Sequence, residues 1–224
     1  MTENKKPLLA LRVIAVILMG LTVLFTLMAG AGTTCVAFAA EKFGSMAVLV
    51  PYKWLYQIFV VVSLATGVWG IPVLLSLVRG SAKAYRNALI VLVIGALTAG
   101  VHMSVSQAVR GASAPANVRF YITAFTLLVF LLLRLPPLWA RIDFTQPMKS
   151  GAKKAAGGAA LIVCGLVLLT TYFWTAPTHL AVWIDVLRGP ILAGGWGMLL
   201  AGSGLLASAV RTPALLPVRG EKVA

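Results

Sequence analysis

The chain has 224 residues, 60% hydrophobic and only 11% charged, with a mean hydropathy of +0.97; soluble domains carry about 25% charged residues, so a polytopic membrane protein is expected. Nineteen basic against five acidic residues give a formal net charge of +14. That balance points to nucleic acid in a soluble protein, but here the cations sit at the ends of apolar runs, so anionic lipid headgroups are the expected counter-charge and nucleic acid is not an expected partner.

In chain order, one transmembrane domain over 1–224 with about six helices is predicted, an all-α bundle. MTENKK leads into the first helix, 8–32. Its apolar run exceeds the roughly 7 to 15 residues of a signal-peptide core, so it is read as uncleaved although Ala29-Gly30-Ala31 loosely imitates a cleavage site. Cys35 to Val50 is apolar but interrupted by Glu41, Lys42, Gly44 and Ser45, too broken to span, and suits an interfacial segment. Pro51 fits the first turn of the second helix, 52–78, and Tyr52, Trp54 and Tyr56 supply rings that favour the headgroup level. Pro72 inside that helix predicts a kink rather than a break.

The third helix, 84–110, is expected to be central. On a 3.6-residue period Ala84, Ala88, Gly95, Thr98, Ala99, His102 and Ser106 share one face, while Leu89, Ile90, Val93, Ile94, Leu97 and Val101 fall mostly on the other. In lipid, where tails are as apolar as leucine, small and weakly polar residues make the helix contacts, so the small face is the inward one.

The fourth helix, 118–135, has an uninterrupted apolar part only from Phe120 to Leu133, short for a core of about 30 Å, and its flanking Arg119 and Arg134 are expected to snorkel to the interface. Pro136 and Pro137 stop it. A basic loop, Trp139 to Lys154, precedes the fifth helix, 155–176, which ends at Pro177. Thr178 to Gly189, with His179, Trp183, Asp185 and Arg188, reads as a loop; Pro190 opens a glycine-rich sixth helix, 190–210, and the two-proline tail is left irregular. Arg-Gly recurs at 79–80, 110–111, 188–189 and 219–220; the first two pairs sit where helices should stop, an arginine facing the dipole followed by a C′ glycine. No convincing internal repeat is visible.

If the N-terminus is cytoplasmic, fourteen basic residues fall on that side and five (Lys42, Lys53, Arg110, Arg119, Arg188) on the other. The positive-inside rule therefore puts both termini in the cytoplasm of a bacterial-type inner or plasma membrane.

Few residues carry candidate chemistry. His102 lies fourteen residues beyond Ala88, about 21 Å at 1.5 Å per residue, in the outer third of the bilayer core. Either it is satisfied by Thr98 or Ser106 one turn away or by water, or it ligates a haem or chlorin or donates to a quinone carbonyl, with Thr98 and Ser106 beside it. The bland reading is preferred, because the other histidine, His179, is placed in a loop. His179, Asp185, Glu41 and Cys35 share the external side with His102 but match no metal motif and are read as coincidence. Cys35 and Cys164 read as apolar fillers.

Gly95, Gly194, Gly197 and Gly202 are the expected helix-packing positions, the last three within a glycine-rich run that also holds Gly195 and Gly204. No Asp, Glu, Lys or Arg lies near the middle of any helix, which counts against ion-coupled transport, and no catalytic motif is present. The leading expectation is therefore a non-catalytic membrane subunit packing laterally against other membrane subunits or a second copy of itself. A haem-, chlorin- or quinone-binding electron-transfer or photosynthetic subunit and a small-molecule transporter or its substrate-binding component are the alternatives, and lipids the expected bound molecules.

Overall fold

In the computed structural model, residues 9–42, 44–175 and 181–211 are described, and among them every regular element is helical: α1 (Leu9–Ala39), α2 (Lys53–Arg79), α3 (Ala84–Arg110), α4 (Ala116–Leu133), the single turn α5 (Pro136–Trp139), α6 (Ser150–Thr175) and α7 (Ala181–Arg211). Six of these stretches are long and apolar enough to cross a membrane. They form an all-α bundle.

The centre of the bundle is α1, not α3 as the sequence reading expects. More than half of its apolar span is buried, against a third of α3, and it packs against α2, α4 and α6. The reason lies in the seam between α1 and α2, where small residues let two backbones close up. A Cβ on Gly30 would lie 2.8 Å from Leu64, one on Gly67 2.6 Å from Leu27, and one on Gly70 2.6 Å from Val23. Gly30 is thus a packing position rather than a stop, and α1 continues seven residues past the predicted end at Gly32. Along that extension Thr33 and Thr34 donate their hydroxyls to the carbonyls of Ala29 and Ala31, so a residue type that favours helix ends is satisfied within the helix. Two 3-10 stretches, Ala40–Lys42 and Gly44–Tyr52, then lead into α2, so only the second part of the predicted interfacial segment is non-α.

On α3 the inside-out logic of a membrane helix is observed directly. Ala84, Ala88, Gly95, Ala99, His102 and Ser106 are buried and Ile90, Val93, Leu97 and Val101 are exposed, because leucine-like side chains gain little from leaving lipid while small ones gain close contact. Gly80 and Gly111 both take positive φ, 81° and 70°, directly after Arg79 and Arg110, as the first two Arg-Gly pairs predict. The third pair does not end a helix: Arg188, Gly189 and Pro190 all lie inside α7, which starts at Ala181, and the predicted loop of 178–189 is therefore corrected over its second part. Asp185 and Arg188 are helical residues; His179 and the fourth Arg-Gly pair lie outside the described residues. Likewise α6 begins at Ser150 rather than at 155, its first turn closed by the Lys153 amide donating to the Lys149 carbonyl at 2.8 Å.

One end of the bundle is tied together by Arg12. Its guanidinium, 7% exposed, donates to the Leu77 carbonyl (2.8 Å from Nη2, 3.2 Å from Nε) and to the Gln146 carbonyl (2.7 Å). Leu77 is in the last turn of α2, where carbonyls lack helical partners, and a cation there also faces the negative end of the dipole. Loop 142–148 is held against this turn by backbone bonds from Ser81 to Phe144 and from Met148 to Val78.

Candidate functional site

At the other end of α3, a cluster of polar side chains lies between α2, α3 and α4. His102 is 7% exposed and its ring stacks on Phe59 (centroids 4.7 Å apart, 24° between planes) and meets Tyr56 edge-on (5.4 Å, 86°). Both aromatic rings come from the first half of α2, three residues apart, one helical turn. The Tyr56 hydroxyl is 3.1 Å from Ser106 Oγ on α3, and both side chains are buried.

Neither neighbour proposed from the sequence is the hydrogen-bond partner of the imidazole. Thr98 donates to the Ile94 carbonyl one turn back (2.8 Å) and Ser106 pairs with Tyr56; His102 Nδ1 is buried with no partner among the described residues. The predicted three-residue group is thus brought onto one face, but its hydrogen bonds run elsewhere.

The residue missed from the sequence is Arg119. It does not snorkel. It is the fourth residue of α4 and only 1% exposed, the largest side chain so completely buried among the described residues. Nη1 donates to Ser63 Oγ on α2 at 2.7 Å, while Nε and Nη2 are buried without a partner among the described residues. Together with Arg110 it is the charge that acts on His102. A guanidinium offers five donors and stays cationic, so a nearly dry position with one acceptor leaves most of its donor capacity unmet. The cost is several kcal/mol per ion taken from water. A signal for this placement was present: Thr123 and Thr126 follow Arg119 at four and seven residues, all three are buried, and Thr126 is bonded to Thr22 of α1 at 3.0 Å. The hydroxyl stripe that marks the inward face of α3 marks the inward face of α4 too, and Arg119 is on it.

Elsewhere, Glu41 is engaged by Lys53 (2.9 Å) and Cys35 donates to the Gly32 carbonyl; both cysteines are free and buried. Among the described residues no group of three metal-ligating side chains comes together.

The glycines of the last helix divide into two faces. A Cβ on Gly202 would lie 2.7 Å from the Gly158 carbonyl oxygen, and one on Gly195 2.6 Å from Leu169; reciprocally, Gly158 faces the Gly202 carbonyl and Gly165 the Gly195 carbonyl, each at 2.8 Å. Glycines seven residues apart on α6 and on α7 therefore meet in antiparallel register, backbone against backbone. Gly194 rests against Leu168 (3.1 Å) and Gly95 of α3 against Thr123 (3.3 Å). Gly197 is different: nothing lies within 4 Å of its Cβ position, nor of that of Gly204. Gly197, one of the expected packing positions, meets nothing inside this chain, since eleven and seven residues of helical rotation place Gly197 and Gly204 with exposed Ala193 and Ala201 on the side away from α6. Trp196 and Leu200 flank this face and are 58% and 72% exposed.

Comparison with protein-family models, with curated proteins and with solved structures found no match to this chain.

Proposed function

We propose that the chain is a non-catalytic integral membrane subunit that packs laterally against another transmembrane helix through the outer face of α7, with both termini cytoplasmic in a bacterial-type inner or plasma membrane. The observation that carries this reading is the pair Gly197 and Gly204, which leave helix backbone open on the side facing away from the bundle. Lipid tails fill such a furrow poorly, whereas a second helix with small residues approaches it closely and gains dispersion contacts and weak Cα–H to carbonyl bonds. α7 is also the helix least covered by its own chain: 11% of its span is buried. The orientation rests on the fourteen-to-five distribution of basic residues.

Native mass spectrometry of protein released in a mild detergent tests the reading. The parent is expected as a complex with a second copy or another membrane protein, and Gly197→Leu as a folded single chain. A parent that is always a single chain removes the proposal.

A second reading, an electron-transfer subunit holding a quinone, is favoured by the unmet donors of Arg119 beside the buried His102, since a quinone carbonyl or its reduced oxygen accepts from both residue types. Under it, quinone co-purifies with the parent and is lost from His102→Gln. A Soret-region band lost in the same variant would instead mark a haem or chlorin.

A further inference from the structure

At the end of the bundle opposite His102, the start of α3, the end of α4 and the loop after α5 line an open cleft of about 870 Å³. Its wall carries three arginines, Arg86, Arg134 and Arg141, and three aromatic rings, Tyr85, Trp139 and Phe144. The arginines are not placed at random. The Arg134 guanidinium lies 4.4 Å from the Trp139 ring centroid, so the ring holds it in position while its edge N–H groups remain available. Arg141 is half-buried, and its Nε is buried with no partner among the described residues.

One carboxylate shares the wall, Asp143, and it is already committed: Oδ1 accepts from the Thr145 amide at 2.8 Å and from the Thr145 hydroxyl at 2.6 Å. Those bonds hold its carboxyl below the usual aspartate range, so it stays anionic. Three guanidinium groups against one carboxylate leave an excess of two positive charges facing a space the size of a small-molecule site. Guanidinium groups make bidentate, charge-assisted bonds to phosphate oxygens, and three of them line this one cleft.

The position decides what carries the phosphate. Immediately beside Arg134, Leu131, Leu132 and Leu135 are 53%, 47% and 49% exposed. Leu131 and Leu132, with Leu128 (52% exposed) one turn further along, form an apolar ridge on α4 that leads away from the cleft, and Leu135 lies just past the end of that helix. We propose that this cleft binds the phosphate headgroup of an anionic diacyl glycerophospholipid whose acyl chains lie along that ridge. The site is separate from the outer face of α7, and its occupancy does not depend on whether α7 meets a partner.

The test uses the full chain, delipidated in detergent and returned to nanodiscs of phosphatidylcholine with or without phosphatidylglycerol, with bound lipid counted by native mass spectrometry after release. The parent should retain phosphatidylglycerol in preference to phosphatidylcholine. The double variant Arg134→Gln with Arg141→Gln should bind it at least tenfold more weakly, Arg134→Lys with Arg141→Lys should fall between, and Arg188→Gln, an exposed arginine on α7, should match the parent. Unchanged retention in the double glutamine variant, or equal retention of the zwitterionic lipid, would overturn the site. Thermal protection by inorganic phosphate equal to that by phosphatidylglycerol would overturn the lipid as the source and leave a soluble phosphate ester in its place.

Discussion

Gly202→Ala adds one methyl group where the α6 and α7 backbones meet, and the structure sets its cost. The new Cβ would stand 2.7 Å from the Gly158 oxygen, 2.8 Å from Ile162 Cγ1 and 3.0 Å from the Ile162 amide nitrogen, where ordinary contact starts at 3.4 Å. Two of the three obstacles are backbone, so no rotamer change relieves them; the helices must part by about 0.7 Å over this stretch, and overpacking of that kind costs about 1 to 3 kcal/mol. Replacing glycine by alanine within a helix returns about 0.5 to 1 kcal/mol. The balance is a net loss of roughly 0.5 to 2 kcal/mol. Gly197→Ala, five residues earlier, gains the same propensity and meets nothing within 4 Å, so it should be neutral or slightly stabilising. Thermal unfolding in a single detergent, followed by helicity, ranks the two against the parent. If Gly202→Ala melts at or above the parent, close backbone contact between α6 and α7 is not what holds that pair.

Two further outcomes are expected. Ser63→Ala removes the acceptor of the buried Arg119 guanidinium and should lower stability by about 1.5 to 3 kcal/mol, the range for hydrogen bonds to charged groups; a melt unchanged from the parent would mean that Arg119 has another partner. Cysteines at Lys83, Ala114 and Gly151 should be labelled by an impermeant reagent only at 114 when it is applied from outside intact cells, and external labelling at 83 or 151 would reverse the orientation.

The six crossing helices were legible because apolar length and terminal cations are one-dimensional signals, and the inward face of α3 was legible because Ala, Gly, Ser and His recur on a helical period. What failed did so for identifiable physical reasons. The predicted end of α1 at Gly32 falls seven residues short, because a glycine inside a membrane bundle serves close approach as readily as termination, and only the position of Leu64 on α2 shows that Gly30 does the former. Charge alone places Arg119 at the interface, whereas Thr123 and Thr126 mark its face as inward. Pairing of Tyr56 with Ser106, and stacking of Phe59 on His102, depend on how α2 meets α3, which no pattern within either helix records. The glycines of α7 were seen, but their division between Gly202, against α6, and Gly197, facing out, required the complementary spacing of Gly158 and Gly165 on α6 to be read with them.

Contact between the outer face of α7 and another membrane helix can be read in intact membranes. A photo-reactive amino acid at position 197, compared with the same group at Leu128 on the exposed face of α4, reports what lies against each surface on illumination. One discrete protein adduct of reproducible mass is expected from position 197 and lipid adducts alone from position 128. Lipid adducts alone from both positions would contradict that contact.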